Sequence, residues 1–386
     1  MLEYWIWLAT RQGLNKRKQY ELLQRFGDPE AVYRSFAQAE DLQQAQQILN
    51  RCHEQGIQLL TLEDPRYPQR LKGIYEPPLL LYYRGSLPDW EAKPVIGAVG
   101  TRRCSQYGLR CAHRMAQQLT LCGATVISGM AEGIDTGVLN GALAAGGAPA
   151  VFLAGGVDMI YPAGNRGLYQ QILNCGGCIL SEQPPGVGHA KWLFPLRNRL
   201  ISGISNGLLV VEAPEKSGAL ITARHAMEQG RAVFAVPGPI DAQSCSGSNA
   251  LLQEGARIAQ SGWDLLRDYQ DQFEGLADRT EIPGSTLENP VEMPLFQRKT
   301  SQYQPKVKKT IDKESKQLYS DLDKKPAAGT PQEQAIMDQL LSGPKLTDEV
   351  INDCALPKGE ALAVMTLLEI KGAIRRLPGN LLALNE

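Results

Sequence analysis

Between Pro94 and about Asp268 the sequence carries six short, almost uninterrupted apolar runs, PVIGAVG, ATVISG, PAVFLAGG, GCILSE, GLLVVEA and RAVFAVPG. No other feature limits the possible folds as much. Runs that are apolar at nearly every residue, rather than at every second one, read as strands buried on both faces, the habit of a parallel sheet covered by helices. Stretches with helical apolar spacing separate them, among them Tyr107 to Cys122 and Asp135 to Ala145. The segment therefore reads as successive βαβ units of an α/β, Rossmann-like, doubly wound and mostly parallel sheet. Nearly every run ends directly in Gly, Ser or Glu, which makes the loops at the C-terminal strand ends the expected ligand-binding rim.

The flanks divide the rest of the chain. Residues 1–60 place Leu14, Tyr20, Leu23, Phe26, Val32 and Phe36 at helix-like intervals with a break at Gly27 and Asp28, which predicts a small helical domain. A glycine followed by Lys16, Arg17 and Lys18 at a helix start suggests a SAM or helix-hairpin-helix-like module; a solvated basic turn is the plainer account. The Pro- and Tyr-rich stretch from Thr61 reads as connection and edge structure leading into the central domain, taken as 61–270. Residues 271–330 lose periodicity and gain Pro, Ser, Gln and Lys, with basic residues at Arg298, Lys299, Lys306, Lys308 and Lys309, and read as a flexible linker. Residues 331–386 predict three helices and a hairpin around Pro-Gly-Asn, a winged helix-turn-helix whose recognition helix pairs Lys358 with Glu360 and Glu369, a poor surface for duplex DNA.

Composition narrows the partners. The formal net charge is −1, so any nucleic-acid site has to be local rather than a property of the whole surface. Eight cysteines, Cys52, Cys104, Cys111, Cys122, Cys175, Cys178, Cys245 and Cys354, are scattered without the density of a disulfide scaffold and read as reduced thiols of a cytoplasmic protein. Cys175 and Cys178 form one CxxC with no second ligand pair, so no metal is expected. The N-terminal MLEYWIWLATRQ has neither a basic lead nor a small-residue cleavage site, and does not read as a signal peptide. The apolar stretch from Ala142 to Gly156 is interrupted by Gly146, Gly147 and Pro149, short of the ~20 residues a membrane span needs.

Three segments could carry chemistry. GAVGTRRCSQYG opens a helix after the first run with Thr101, Arg102 and Arg103, a turn suited to a phosphate; it lacks GxGxxG, so a dinucleotide is not expected. VISGMAEGID allows close backbone approach at Gly129 and Gly133, with Asp135 as the expected helix cap. GHAKWLFPLRNRL places Lys191, Arg197 and Arg199 among Trp192 and Phe194, cations interleaved with rings as in single-strand binders. The plainer alternative puts the rings in the core and the arginines in internal ion pairs. Ser217, Gly218 and Thr222 mark a further helix start, but His53, His113, His189 and His225 form no recognisable Ser/His/Asp arrangement, and GxSxG is absent.

The ordered set DPRYPQRLKGIYEPPLLLYYRG, VGTRRCSQYG, SGMAEGID, YPAGNRGLY, LSEQPPG, FPLRNRLISGIS, SGALITARHAMEQGRAVFAVPG and GSNALLQEGA closely resembles the DNA-processing protein A family, also called Smf, over roughly residues 60–260. The resemblance implies a cytoplasmic single-stranded DNA-binding protein of natural transformation that protects incoming strands, loads the recombinase RecA and dimerises through its Rossmann-like domain. It implies no enzymatic activity and no cofactor. The family's pocket arginine is matched by Arg102 and its Lys-x-x-Phe pair by Lys191 and Phe194, while Gly129, Asn198, Ser217 and Thr222 fall in matching pocket loops. Arg197 and Arg199 complete the expected single-stranded DNA site. One departure is Leu139, where the family usually carries histidine. The competing reading is a nucleotide-processing enzyme of the phosphoribohydrolase-like Rossmann group, whose PGGxGTxxE signature is missing here.

Overall fold

The computed structural model describes residues 1–11, 13–36 and 42–281 and, with interruptions, residues 331–384. Residues 282–330, with the basic positions expected in the linker, and Lys358 and Glu360 of the third expected C-terminal helix lie outside the described residues. Two compact units divide the chain, Met1–Met293 and Pro294–Glu386.

All six apolar runs of the first unit form strands: β3 (Val95–Val99), β4 (Thr125–Ser128), β5 (Ala150–Phe152), β6 (Cys178–Ser181), β7 (Gly207–Val210) and β8 (Ala232–Ala235). They pair in parallel. The connection expected after Thr61 supplies the edge, with β1 (Gln58–Thr61) and β2 (Leu80–Gly85) running antiparallel, and a short β9 (Arg257–Ile258), which the sequence did not suggest, closes the other side. The nine-stranded order is β1-β2-β6-β5-β4-β3-β7-β8-β9. The direction of winding reverses between β3 and β7, the place where such sheets open a crevice at their C-terminal rim.

Alternation along each strand covers both faces, the reason the runs are apolar throughout. Ile96, Ala98, Val126, Leu209 and Phe234 pack against α6 (Gln106–Leu121) and α7 (Ile134–Ala144). Val95, Val99, Ile127, Leu208 and Val210 turn the other way, to α9 (Leu193–Ile204) and α10 (Gly218–Glu228). Gly97 faces α9, and a Cβ there would press into Ser205 and Ile201, so glycine lets the helix lie close. Leu139, in the place of the family histidine, is fully buried in this core.

The N-terminal helices α1 (Leu2–Thr10), α2 (Lys16–Phe26), α3 (Pro29–Arg34) and α4 (Gln43–Glu54) share the core of the sheet: Trp5, Ile6, Trp7 and Leu8 belong to one apolar cluster with Leu80 to Tyr83, while the short α5 (Gln69–Lys72) leads to β2 and α8 (Arg166–Asn174) leads to β6. The break at Gly27 and Asp28 has the expected chemistry. Gly27 ends α2 in the left-handed region, φ 86°, and the Asp28 carboxylate accepts from the amides of Glu30 and Ala31 to start α3 at Pro29. At the far end, residues 271–281 stay on the unit. Phe273 is buried, and the Gln118 side chain donates to the Thr280 carbonyl at 2.9 Å while accepting from Gly262 at 3.0 Å.

In the second unit, helices Pro331–Leu340 and Thr347–Asp353 pack with Met365, Leu368, Ile374 and Leu382 around a small core. A three-stranded sheet, β10 (Lys345–Leu346), β11 (Ile374–Leu377) and β12 (Leu381–Leu384), has the order β10-β12-β11. The antiparallel β11–β12 hairpin is the wing.

Candidate nucleic-acid interface

The loop after β3 does not offer its anion site to a ligand. Ser105 caps α6, its hydroxyl accepting from Gly108 at 3.0 Å. The same hydroxyl donates to Glu212 Oε2 at 2.9 Å, and the Ser105 amide points at both Glu212 oxygens, 3.1 Å each. Glu212 is fully buried, and Gly108 is glycine because a Cβ would collide with its carboxylate. The protein thus places a carboxylate from the end of β7 at the head of this helix, where it pairs with the Ser105 amide and hydroxyl and faces the positive end of the helix dipole. The expectation of a phosphate at this helix start is corrected accordingly: Arg102, exposed on the same loop, serves a different opening.

That opening lies beside the ends of β4 and β5. The Arg102 guanidinium stands over the Phe194 ring, 4.5 Å from its centroid. Tyr161 meets Phe194 edge-on at 5.9 Å and stacks on His189 at 3.8 Å. Gly129, Ala131, Leu153, Ala154, Gly155, Met159 and Arg197 complete the lining. Phe194 sits in the first turn of α9, half-buried, where the helix start faces the rim.

Arg197, one turn further along α9, forms the floor. It is 6% exposed and donates Nη1 to the carbonyls of Gly129, at 2.7 Å, and Phe152, and Nε to Asn198 at 3.3 Å. A Cβ at Gly129 would lie 2.5 Å from its guanidinium carbon, which is why that loop position is glycine. Burial brings Arg197 down to about 10, Asp135 opposing that shift and Arg102 adding to it; it is charged at neutral pH. Burial pushes the Asp135 carboxyl up, against the pull of Arg197 and Arg102. Two guanidinium groups thus lie within electrostatic reach of one buried carboxylate, a local pairing of two cations with one acid that suits an anion.

The loop after β4 is held rigid. Met130 takes a left-handed φ of 58°, a conformation that costs a side-chain-bearing residue of order 1 kcal/mol or more. Asn165 Nδ2 fixes the Met130 carbonyl at 2.9 Å, and Thr136 Oγ1 fixes the Ala131 carbonyl at 2.8 Å. Asp135, expected as the helix cap, sits instead within the first turn of α7 and accepts from the Ala131 amide at 3.2 Å; Gly133 holds the cap position.

Of the expected site residues, the structure brings together Arg102, Gly129, Phe194 and Arg197. Lys191 lies exposed on the turn ahead of α9, next to Trp192, which is 65% exposed and not in the core. Asn198 Nδ2 donates to the Gly218 carbonyl at 3.3 Å, and the Ser217 hydroxyl caps α10, accepting from Ala219 at 3.3 Å, so these two tie α9 to the head of α10 and are not among the residues that line the opening. Two placements are corrections. Thr222 is 1% exposed inside α10, with no surface for a ligand. Arg199 points away from Arg197, as residues two apart on a helix do. Its Nη2 meets Glu182 Oε1 and Oε2 at 2.9 and 2.8 Å, and its Nη1 meets the Glu76 carbonyl at 2.7 Å. Burial works to raise the Glu182 carboxyl, but Lys16 and Arg199 together hold it below the usual range.

Sequence reasoning missed Tyr161, His189 and Asn165. Each stands in a quoted motif, YPAGN or GHAKW, but no spacing rule links position 161 to position 194.

A doubly wound sheet whose C-terminal rim carries cations and stacked rings, with a separate winged-helix unit, defines a Rossmann-like protein with an added winged helix. Comparison with known proteins narrows the class. A family model described as DNA recombination-mediator protein A matches residues 58–270, and one described as the DprA winged helix domain matches residues 320–380. Protein Smf of Synechocystis is 33% identical over 352 residues, covering 86% of this chain and 81% of that protein. DNA processing protein DprA of Streptococcus pneumoniae is 41% identical over 207 residues, 54% of this chain and 72% of that one. The X-ray structure of the pneumococcal DprA superimposes with a TM-score of 0.60 at 32% identity, covering 69% of this chain and 98% of that chain. DNA processing protein A of Helicobacter pylori, described for its single-stranded DNA binding mode, has a TM-score of 0.50 at 28% identity, with 56% and 97% covered. The chain belongs to the DNA recombination-mediator protein A family, the DprA or Smf proteins.

Proposed function

We propose that the opening beside β4 and β5 is a single-stranded DNA cleft, and that the protein is a non-enzymatic mediator which protects incoming strands in natural transformation and passes them to RecA. The observation that carries this reading is the Arg102 guanidinium over the Phe194 ring at a rim where two cations lie within reach of one buried carboxylate. Guanidinium and ammonium groups pair with phosphates while an exposed ring stacks bases, and duplex DNA hides its base faces from such a ring. Arg102 and Lys191 take the phosphates, Phe194 takes a base, Gly129 gives clearance and Arg197 holds the loops in place. Asn198 and Ser217 tie α9 to the head of α10. The single-stranded DNA binding described for the Helicobacter relative and the recombination-mediator description of the family support the reading. The protein works in the cytoplasm as a homodimer and needs no membrane or cofactor.

The competing nucleotide-processing reading calls for a phosphate at the crevice helix start, where Glu212 already sits. Release of free base from nucleoside monophosphates would revive it. The direct test is fluorescence anisotropy with oligo-dT and a matched duplex across a salt series. Salt-sensitive binding that favours the single strand is expected; equal affinity for both overturns the proposal.

A further inference from the structure

The chain carries a second pairing of ring and cation that the cleft does not use. Tyr75, in the loop before β2, is 71% exposed, yet its ring is held in place. The Arg17 guanidinium lies 4.7 Å from the ring centroid and also donates to the Tyr75 hydroxyl. Arg17 and Lys18 sit in the first turn of α2 and are more than half exposed, with Glu21 as their shared carboxylate, 2.9 Å from Arg17 and 3.8 Å from Lys18. Arg17 and Lys18 share the single carboxylate of Glu21, and the ordered exposed ring beside them repeats the ring-and-cation chemistry of the Phe194 rim.

The patch is tied to the helix that carries Phe194. Arg199 of α9 donates to the carbonyl of Glu76, next to Tyr75. A Cβ at Gly203 of α9 would meet Ile74, so the loop lies against this helix. Lys16, beside Arg17, is 3.5 Å from Glu182, which follows the C-terminal end of β6 and grips Arg199. The buried ion pair therefore docks the head of α2 and the Tyr75 loop beside the C-terminal end of β6, on the side of α9 turned away from Arg197. Trp192 and Lys191, exposed at the head of α9, belong to the rim that carries Phe194.

We propose that Tyr75, Arg17 and Lys18 form a second subsite for single-stranded nucleic acid, in which Tyr75 stacks a base and Arg17 and Lys18 pair with phosphates of a strand running on from the cleft. This inference rests on the cleft reading and extends it: the helical front becomes part of the strand's track rather than a separate module. Single-strand tracks span about 4 to 16 nucleotides, so strand length separates the two subsites.

The test uses the full chain with labelled oligo-dT of about 4 and about 16 nucleotides. Tyr75→Ala is expected to weaken the longer oligomer about 5- to 10-fold and leave the shorter one unchanged, with Tyr75→Phe binding both like the parent. A Tyr75→Ala protein that binds the long strand like the parent, or loses both lengths equally, overturns the second subsite; so does a Tyr75→Phe protein as weak as Tyr75→Ala. Phe194→Ala is the control that separates the two ideas. If it loses both lengths while Tyr75→Ala loses neither, the cleft stands and the extension falls, whereas parent-like binding by Phe194→Ala at both lengths removes the cleft itself.

Discussion

The heads of α6 and α9 both open at the C-terminal rim of one sheet, and they were put to opposite uses. At α6 the Gly- and Arg-rich turn after β3 has the features of an anion site, and a buried Glu212 takes the Ser105 amide and hydroxyl from inside the protein. At α9 the start is aromatic and cationic, and its rings and charges are left at the surface. A helix start with free amides is only a demand for negative charge; whether a ligand meets it depends on whether a side chain arrives first. The demand at α6 is met from inside the protein, while the charged and aromatic groups beside α9 face the opening.

Glu212→Ala should break the comparison most forcefully. It strips the Ser105 amide and hydroxyl of their partner, and a loss of about 3 kcal/mol is expected in urea denaturation. Single-strand affinity of the folded variant should stay within about twofold; a large affinity loss with unchanged stability would move the binding site to α6. Phe194→Ala is the mirror experiment at α9. Loss of one stacked base should weaken oligo-dT about 10- to 100-fold with the denaturation midpoint nearly kept, and an equal loss for duplex would count against stacking. Arg102→Ala sharpens the electrostatic side: the log–log salt slope for oligo-dT should shrink by about 0.7, the share of one phosphate on a single strand. A parent-like slope takes Arg102 out of the phosphate contacts. The smallest change is expected for His189→Ala, which removes the ring behind Tyr161; affinity should fall about threefold, less than one full stacked base is worth. A loss as large as that of Phe194→Ala would make Tyr161 and His189 the primary platform.

Much of the fold was legible because its signals are local. Six apolar runs became six strands, Gly27 and Asp28 ended and began helices as their chemistry requires, and the Pro- and Tyr-rich stretch became the antiparallel edge. β9 was missed because a two-residue strand has no periodicity to detect. At the candidate site the structure sets Arg102, expected from its turn and from the family resemblance, over Phe194, expected from rings interleaved with cations. It was misread at Arg199 and Thr222, since nearby positions in a helix share a motif but not a face. Trp192 departed from the core reading for a related reason: it precedes α9 on a turn, outside the pattern that buries Leu193 and Leu200.

Residue order alone determined the strands, the helices between them and the rim where the loops gather, because each follows from which side chains avoid water over a few neighbouring positions. It took the folded chain to bring Glu212 to one helix start, Glu182 to Arg199, and Tyr161 and His189 beside Phe194. Those outcomes depend on side chains distant in the chain meeting in space, and electrostatic pairing over a few ångströms leaves no mark on local sequence pattern.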